Sequence, residues 1–200
     1  MPEMPLSTKT TEEAIMAATY RALCENGYAE TSISRIAEEF PKSKSLLYYH
    51  YEDKDELLTD FLSYLLDQLE NELAEQNDEV PRDRLASLIG MLAPREMNRE
   101  EVRFFQAMLE MRTQIPYNDA YRREFERTDD LILSALIATI EEGIENGTFN
   151  PVDPQHIAEF ILASLYGILL RNVPMDDPVA VDTTRDALET YLDATLASEA

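Results

Sequence analysis

Apolar residues recur at three- and four-residue intervals along nearly the whole chain, and sustained alternation at period two is absent. That spacing predicts helices throughout. Breakers at Gly27, Pro41, Pro81, Pro94, Pro116, Gly147 and Pro174 divide the pattern into about nine helices. The first covers 11–26, with Ile15, Ala18, Ala22 and Leu23 inward and Asn26-Gly27 as its stop. A second starts at Thr31 or Ser32, carries Ile33, Ile36 and Ala37, and is closed by Pro41, because the residue before proline is pushed out of the α region. Ser43 is a natural N-cap for a third over 44–49. Asp53 caps a long fourth over 54–77, with Leu57, Leu58, Phe61, Leu65 and Leu69 on its apolar face. Five more are expected over 82–93, 98–115, 118–146, 154–172 and 178–197. The expected fold is all-α: a three-helix N-terminal domain over 10–58, after a flexible arm at 1–9, fused through the fourth helix to a helical domain over 59–200.

The segment 31–51 carries the chemistry. Two short helices joined by a tight connection are a device for setting one helix in the major groove of DNA. If Leu47 packs inward against Ile36 and Ala37, the third helix exposes Lys44, Ser45, Leu46, Tyr48 and Tyr49. Lys44 suits phosphate or guanine, Ser45 a base edge, and Leu46 with the Tyr48 ring thymine methyls. The hydroxyls of Thr31, Tyr48 and Tyr49, with Lys54 and the amides at the start of the fourth helix, suit phosphates. Tyr51 reads as a packing aromatic.

Charge complicates this picture. The chain has 40 Asp and Glu against 17 Lys and Arg, a formal net charge of -23, and only Lys9, Lys42, Lys44 and Lys54 are lysines. DNA repels such a molecule, and molar salt would screen its self-repulsion. The acid is unevenly placed. Residues 1–60 hold six basic and twelve acidic residues, a net of -6, while 61–200 hold eleven and twenty-eight, a net of -17. Within 31–50, Arg35, Lys42 and Lys44 face Glu38 and Glu39, so the reading segment is +1. Two readings stay open on residues alone: a DNA reader, or an acidic helical protein-interaction module without specific DNA binding.

The residues Ile15, Ala18, Gly27-Tyr28, Thr31-Ser32, Ile36-Ala37, Ser43-Lys44, Leu47-Tyr48, His50-Tyr51, Lys54 and Leu57-Leu58 resemble, at ungapped spacing, the N-terminal domain of the TetR family of tetracycline-repressor-like regulators. The resemblance implies a homodimeric, ligand-responsive transcriptional regulator. It would repress from a palindromic double-stranded operator and be released by a small hydrophobic or amphipathic effector. Carried over by position, phosphate contacts fall on Thr31, Tyr49, His50 and Lys54, and base contacts on Lys44, Ser45, Leu46 and Tyr48. Ser32, Lys42 and Ser43 complete the expected DNA-binding set. Pro41-Lys42 replaces the family's usual glycine and apolar residue in the turn, and Ser45 replaces a glycine. The operator is therefore not transferable from a relative.

Beyond residue 59 the family resemblance supplies architecture only. Aromatic and methionine side chains suit an adaptable apolar pocket, and the candidate lining is Met91, Phe104, Met108, Met111, Tyr121, Phe125 and Tyr166. Glu110 and Arg112 flank Met111 as a ligand-orienting pair or a surface ion pair. The helix over 154–172 is apolar on more than one face, with small Ala163, Ser164 and Gly167, so 154–172 and 178–197 are the expected homodimer surface. Asp176-Asp177 and Asp182 read as a solvated acidic loop.

Enzyme chemistry finds no anchor. The two histidines, His50 and His156, lack ligand spacing, and there is no glycine-rich phosphate loop or nucleophile elbow. No cofactor and no metal are expected. One cysteine, Cys24, excludes an internal disulfide and reads as a quiet helix residue. No run approaches the roughly 18 apolar residues of a membrane span, and residues 1–10 lack a signal-peptide pattern, so a cytoplasmic protein without membrane contact is expected.

Overall fold

A computed structural model describes residues 10–75, 80–175 and 178–197. The expected arm at 1–9 and the Asp176-Asp177 loop lie outside the described residues. Within them nine α-helices follow in order: α1 (Thr11–Glu30), α2 (Ile33–Glu39), α3 (Lys44–His50), α4 (Lys54–Glu75), α5 (Pro81–Leu92), α6 (Arg99–Arg112), α7 (Asp119–Glu145), α8 (Pro154–Asn172) and α9 (Pro178–Leu196). A 3₁₀ turn at Val173–Met175 follows α8, and one isolated antiparallel bridge joins Phe149 to Ala197. No β-strand occurs among the described residues.

The helix starts follow side-chain chemistry. Thr10 and Glu13 form a reciprocal capping box at α1, and Asn98 and Glu101 form another at α6. Asp53 accepts the Glu56 N–H at 2.9 Å, and Asp153 accepts that of His156 at 3.1 Å. Gly27 acts as a kink and not as the expected stop. At φ 70° and ψ 174° it interrupts α1, which then resumes through Glu30. Of the apolar stripe expected on α4, Leu57, Leu58, Phe61 and Leu69 are buried and Leu65 is only half-buried, with Leu62 and Leu66 buried beside them.

Packing groups the helices into two bodies. The first holds 10–69 with 98–127, so α6 and the start of α7 join the N-terminal helices. Its core contains Ile15, Ala18, Leu23, Ile36, Leu47, Leu57, Leu58 and Phe61, all without appreciable exposure. Phe104 of α6 meets the Tyr20 ring at a tilt, 4.8 Å between centroids, and the Phe61 ring edge-on at 6.3 Å. The second body holds 70–97 with 128–197 over the described residues. Ile132, Leu136 and Ile140 of α7, Ile161 and Leu165 of α8, and Leu188 and Leu192 of α9 are buried there. Buried Arg84 reaches Thr139 at 3.0 Å and pairs with Glu142, and buried Arg185 donates to the Ala93 carbonyl at 2.8 Å.

Candidate nucleic-acid interface

Helices α2 and α3 have seven residues each, too short to persist alone, so the core of the first body holds them. Ser32 caps α2 by accepting the Arg35 N–H at 3.3 Å. Ser43 occupies the N-cap position of α3 but makes no side-chain capping bond. From α3, Leu47 enters the core with no exposed surface, and Tyr51 behind it is buried. Burial, and then the neighbouring carboxylate of Asp60, push the Tyr51 phenol above its ordinary value.

The opposite arc of α3 faces outward. Tyr48 keeps 54% of its surface exposed and Tyr49 keeps 84%. Lys42, Ser43, Lys44, Ser45 and His50 are exposed with them, and Leu46 is half-buried. The ring of His50 meets that of Tyr49 edge-on at 5.6 Å. The residues expected to read bases, Lys44, Ser45, Leu46 and Tyr48, thus lie on one short helix beside the phosphate candidates Tyr49 and His50.

Two expected phosphate ligands are engaged elsewhere. Thr31 is buried, and its hydroxyl donates to the Gly27 carbonyl at 2.6 Å and faces that of Ala22 at 3.3 Å. Lys54 is half-buried, donates to the Tyr28 carbonyl at 2.5 Å and lies 3.8 Å from the Tyr28 ring centroid. Burial lowers its pKa, opposed by Asp55, Glu110 and Glu30. The other cations of residues 10–58 are partnered too: Arg21 with Glu39, Arg35 with Asn26 and Glu30, Lys42 with Thr11, and Lys44 with Glu38 at 3.9 Å.

A cluster around Tyr28 is not legible in the sequence. Glu110 of α6, expected as a ligand-orienting or surface acid, accepts the N–H groups of Tyr28 and Ala29 at 3.0 and 3.3 Å. Tyr121 packs edge-on against Tyr28 and donates to Asp55 at 2.9 Å. The only signal was Gly27, whose kink leaves N–H groups that need an acceptor. Nothing in a chain with 40 acids names which one supplies it.

The proposed pocket residues divide between the bodies. Phe104, Met108, Met111, Tyr121 and Phe125 belong to the first, and Met91 and Tyr166 to the second. Phe104, Met111, Tyr121 and Phe125 are buried in packing, and Tyr166 hydrogen-bonds Asp129. A cavity of about 350 Å³ in the second body is lined by other residues of α4, α5 and α7, with Leu73, Leu88, Leu131 and Ala138 beside Arg84 and Glu142.

A short helix pair that presents one polar, aromatic face from an all-helical body defines a helix-turn-helix DNA-binding protein. The chain belongs to the TetR family of transcriptional regulators. Residues 15–60 match the family described as bacterial regulatory proteins, tetR family, and residues 81–197 match the BetI-type transcriptional repressor C-terminal family. A TetR transcription regulator from Haloarcula marismortui is 38% identical over 93% of this chain and 98% of its own, with a TM-score of 0.84. The HTH-type transcriptional regulator YhgD of Bacillus subtilis is 24% identical, covering 90% of this chain and 94% of its own. A transcriptional regulator from Saccharomonospora viridis, solved in complex with choline, shares the fold at 21% identity and a TM-score of 0.80, over 94% of this chain and 98% of its own. Members of the family are DNA-binding transcription factors and not enzymes; they typically dimerise and bind small-molecule effectors. Among the described residues no helix is long and apolar enough to cross a membrane.

Proposed function

We propose that the chain is a homodimeric cytoplasmic repressor whose 10–58 region reads a palindromic operator and whose 59–200 region dimerises and binds a small amphipathic effector. The observation that carries this reading is α3, with Leu47 fully buried and Tyr48 and Tyr49 exposed on the opposite arc. Ser32, Lys42, Ser43, Lys44, Ser45, Leu46, Tyr48, Tyr49 and His50 form the DNA surface. Thr31 and Lys54 shape its edge through Gly27 and Tyr28. Repression as the sign of regulation is supported by the repressor-type C-terminal match.

The partner surface is a second copy. Phe160, Ala163, Gly167 and Leu170 share one exposed face of α8, the Phe160 ring meets exposed Tyr191 of α9 at 4.9 Å, and a Cβ on Gly167 would meet open space. Large apolar groups around small ones suit close helix approach across a two-fold axis. For the effector, the cavity of the second body offers about 350 Å³, within the roughly 300–1,000 Å³ of small-molecule sites. Its apolar floor beside Arg84, Thr139 and Glu142 suits an amphipathic molecule. Binding there would shift the population away from the DNA-competent dimer.

The test is binding to a DNA fragment from beside the chain's own gene. Wild type should bind with a footprint of two half-sites, and Tyr48→Ala should bind at least tenfold more weakly. Equal binding by both proteins, or none by wild type, would sink the operator reading.

A further inference from the structure

The turn that follows Gly27 is held from three helices. Because Gly27 sits at φ 70°, Tyr28 and Ala29 open a fresh turn, and N–H groups at the start of a turn need acceptors from outside it. Glu110 Oε2 takes both, at 3.0 and 3.3 Å. A carboxylate is well suited there, since a charged acceptor strengthens the bonds and the turn presents its positive end. Lys54 of α4 takes the Tyr28 carbonyl and covers its ring. Tyr121 of α7, anchored on Asp55, closes the ring's edge. Thr31, whose hydroxyl donates back to Gly27, then leads into α2.

Glu110 lies in the 81–197 segment matched as the repressor C-terminal family, while Tyr28 lies in the 15–60 segment matched as the DNA-binding family. Both belong to one compact body. We propose that Glu110 is a positioning residue for the DNA-reading head: by capping the Tyr28–Ala29 turn from α6 it fixes the direction in which the chain enters α2 and α3, and so couples operator affinity to α6. This inference rests on the operator reading above. Glu110 itself is exposed, so its effect is expected in DNA affinity and in the two amides more than in folding.

Glu110→Gln and Glu110→Met in the full chain provide the test. Both remove the same charge and keep a similar length, but only glutamine retains an oxygen that can accept the two N–H groups. Operator affinity is measured by fluorescence anisotropy, and the Tyr28 and Ala29 amides by NMR shift and hydrogen exchange. The methionine variant should bind at least fivefold more weakly than the glutamine variant, with both amides exchanging faster and native helix content and oligomeric state retained. Equal DNA affinity of the two variants overturns the inference alone. A methionine variant that fails to fold also overturns it, because the role would then be structural. A wild type that binds no operator fragment sinks the operator reading, and this inference with it.

Discussion

Leu47 and Tyr48 are neighbours on α3 that face opposite ways: Leu47 has no exposed surface and Tyr48 keeps 54% of its own. One anchors the helix and the other is offered to a partner, so truncating them should separate stability from binding. Leu47→Ala should cost about 2–5 kcal/mol, the range for a buried leucine whose cavity only partly collapses. Tyr48→Ala should leave the urea midpoint almost unchanged and weaken operator binding at least tenfold. Denaturation and anisotropy on the same two samples decide the matter. A Tyr48→Ala protein as unstable as Leu47→Ala would show that the ring is packing and not reading.

The dimer surface predicts a second separation. Leu170 is 62% exposed and shares its face of α8 with Phe160 and Gly167. Leu170→Glu should therefore fold normally, yet place a charge where two copies meet. Sedimentation should show a shift from dimer to monomer, and affinity for a full palindrome should fall while thermal unfolding at high protein dilution stays close to wild type. A variant that remains dimeric would move the interface elsewhere.

Gly143 and Phe149 give a purely structural prediction. The Phe149 ring lies across the place where a Cβ on Gly143 would sit, and the Phe149 N–H donates to the Gly143 carbonyl at 2.8 Å. Gly143→Ala must push that ring aside, an overpacking cost of about 1–3 kcal/mol. Gly147, at φ 79° with open space around its Cβ position, should cost about 1–2 kcal/mol on conversion to alanine, from the left-handed backbone alone. Urea unfolding of the two variants compares them. If Gly143→Ala is neutral, the ring is free to move.

Helix positions were largely legible because apolar spacing and capping residues are local properties. The start of α3 after Ser43, the Asp53 cap of α4 and the ends of α7 and α8 all lie within a few residues of where the pattern puts them. The exposed arc of α3 was legible for the same reason, once Leu47 was assigned inward. What the pattern could not supply was tertiary. Lys54 reads as a phosphate ligand by position, yet it is turned onto Tyr28 by a carbonyl and a ring 26 residues away in sequence. Glu110 is one acid among 40 until folding sets it beside Tyr28. The aromatic and methionine content of α6 likewise signals apolar burial without saying whether the burial leaves a cavity. In Phe104 it makes ring contacts.

Alkaline pH should unfold the protein early. Burial pushes the Cys24 thiol from an ordinary 9.0 up to about 12. It also raises the phenols of Tyr20, Tyr51 and Tyr121, with Asp60 adding to the effect at Tyr51 and Asp55 at Tyr121. Each group holds its proton in the folded chain at pH values where the unfolded chain releases it. Their contribution is therefore complete below about pH 8.5–10, the range of unfolded thiols and phenols, and is lost as pH rises beyond it. Burial raises the phenols of Tyr28 and Tyr64 as well, so Lys54, whose pKa burial lowers, runs the other way as one group against six. The urea midpoint should fall by about 1 M or more between pH 8 and pH 11, for slopes of about 1–3 kcal/mol/M. A flat profile would contradict the burial of these groups.

Salt should act in opposite directions on folding and on DNA binding, and unequally. A formal net charge of -23 repels itself, and raising salt from 0.1 to 1 M shortens the screening length from about 10 to about 3 Å, so the melting temperature should climb with KCl. DNA binding normally weakens with salt because cations on the protein displace counterions from phosphates. Here Arg21, Arg35 and Lys54 are tied to an acid, an amide or a backbone carbonyl within the first body, while the exposed lysines beside α3 are held more lightly, Lys42 by the Thr11 hydroxyl and Lys44 by Glu38 at 3.9 Å. Two such lysines in each of two heads, at about -0.9 per neutralised phosphate, give a log–log slope near about -4. Freeing Lys44 from Glu38 is part of that process, so Glu38→Gln should raise affinity at low salt more than at high salt. A measured slope near about -10, the value for a protein making many phosphate contacts, would mean that the partnered arginines are released on binding and that hydroxyl-bearing tyrosines are not the main phosphate ligands.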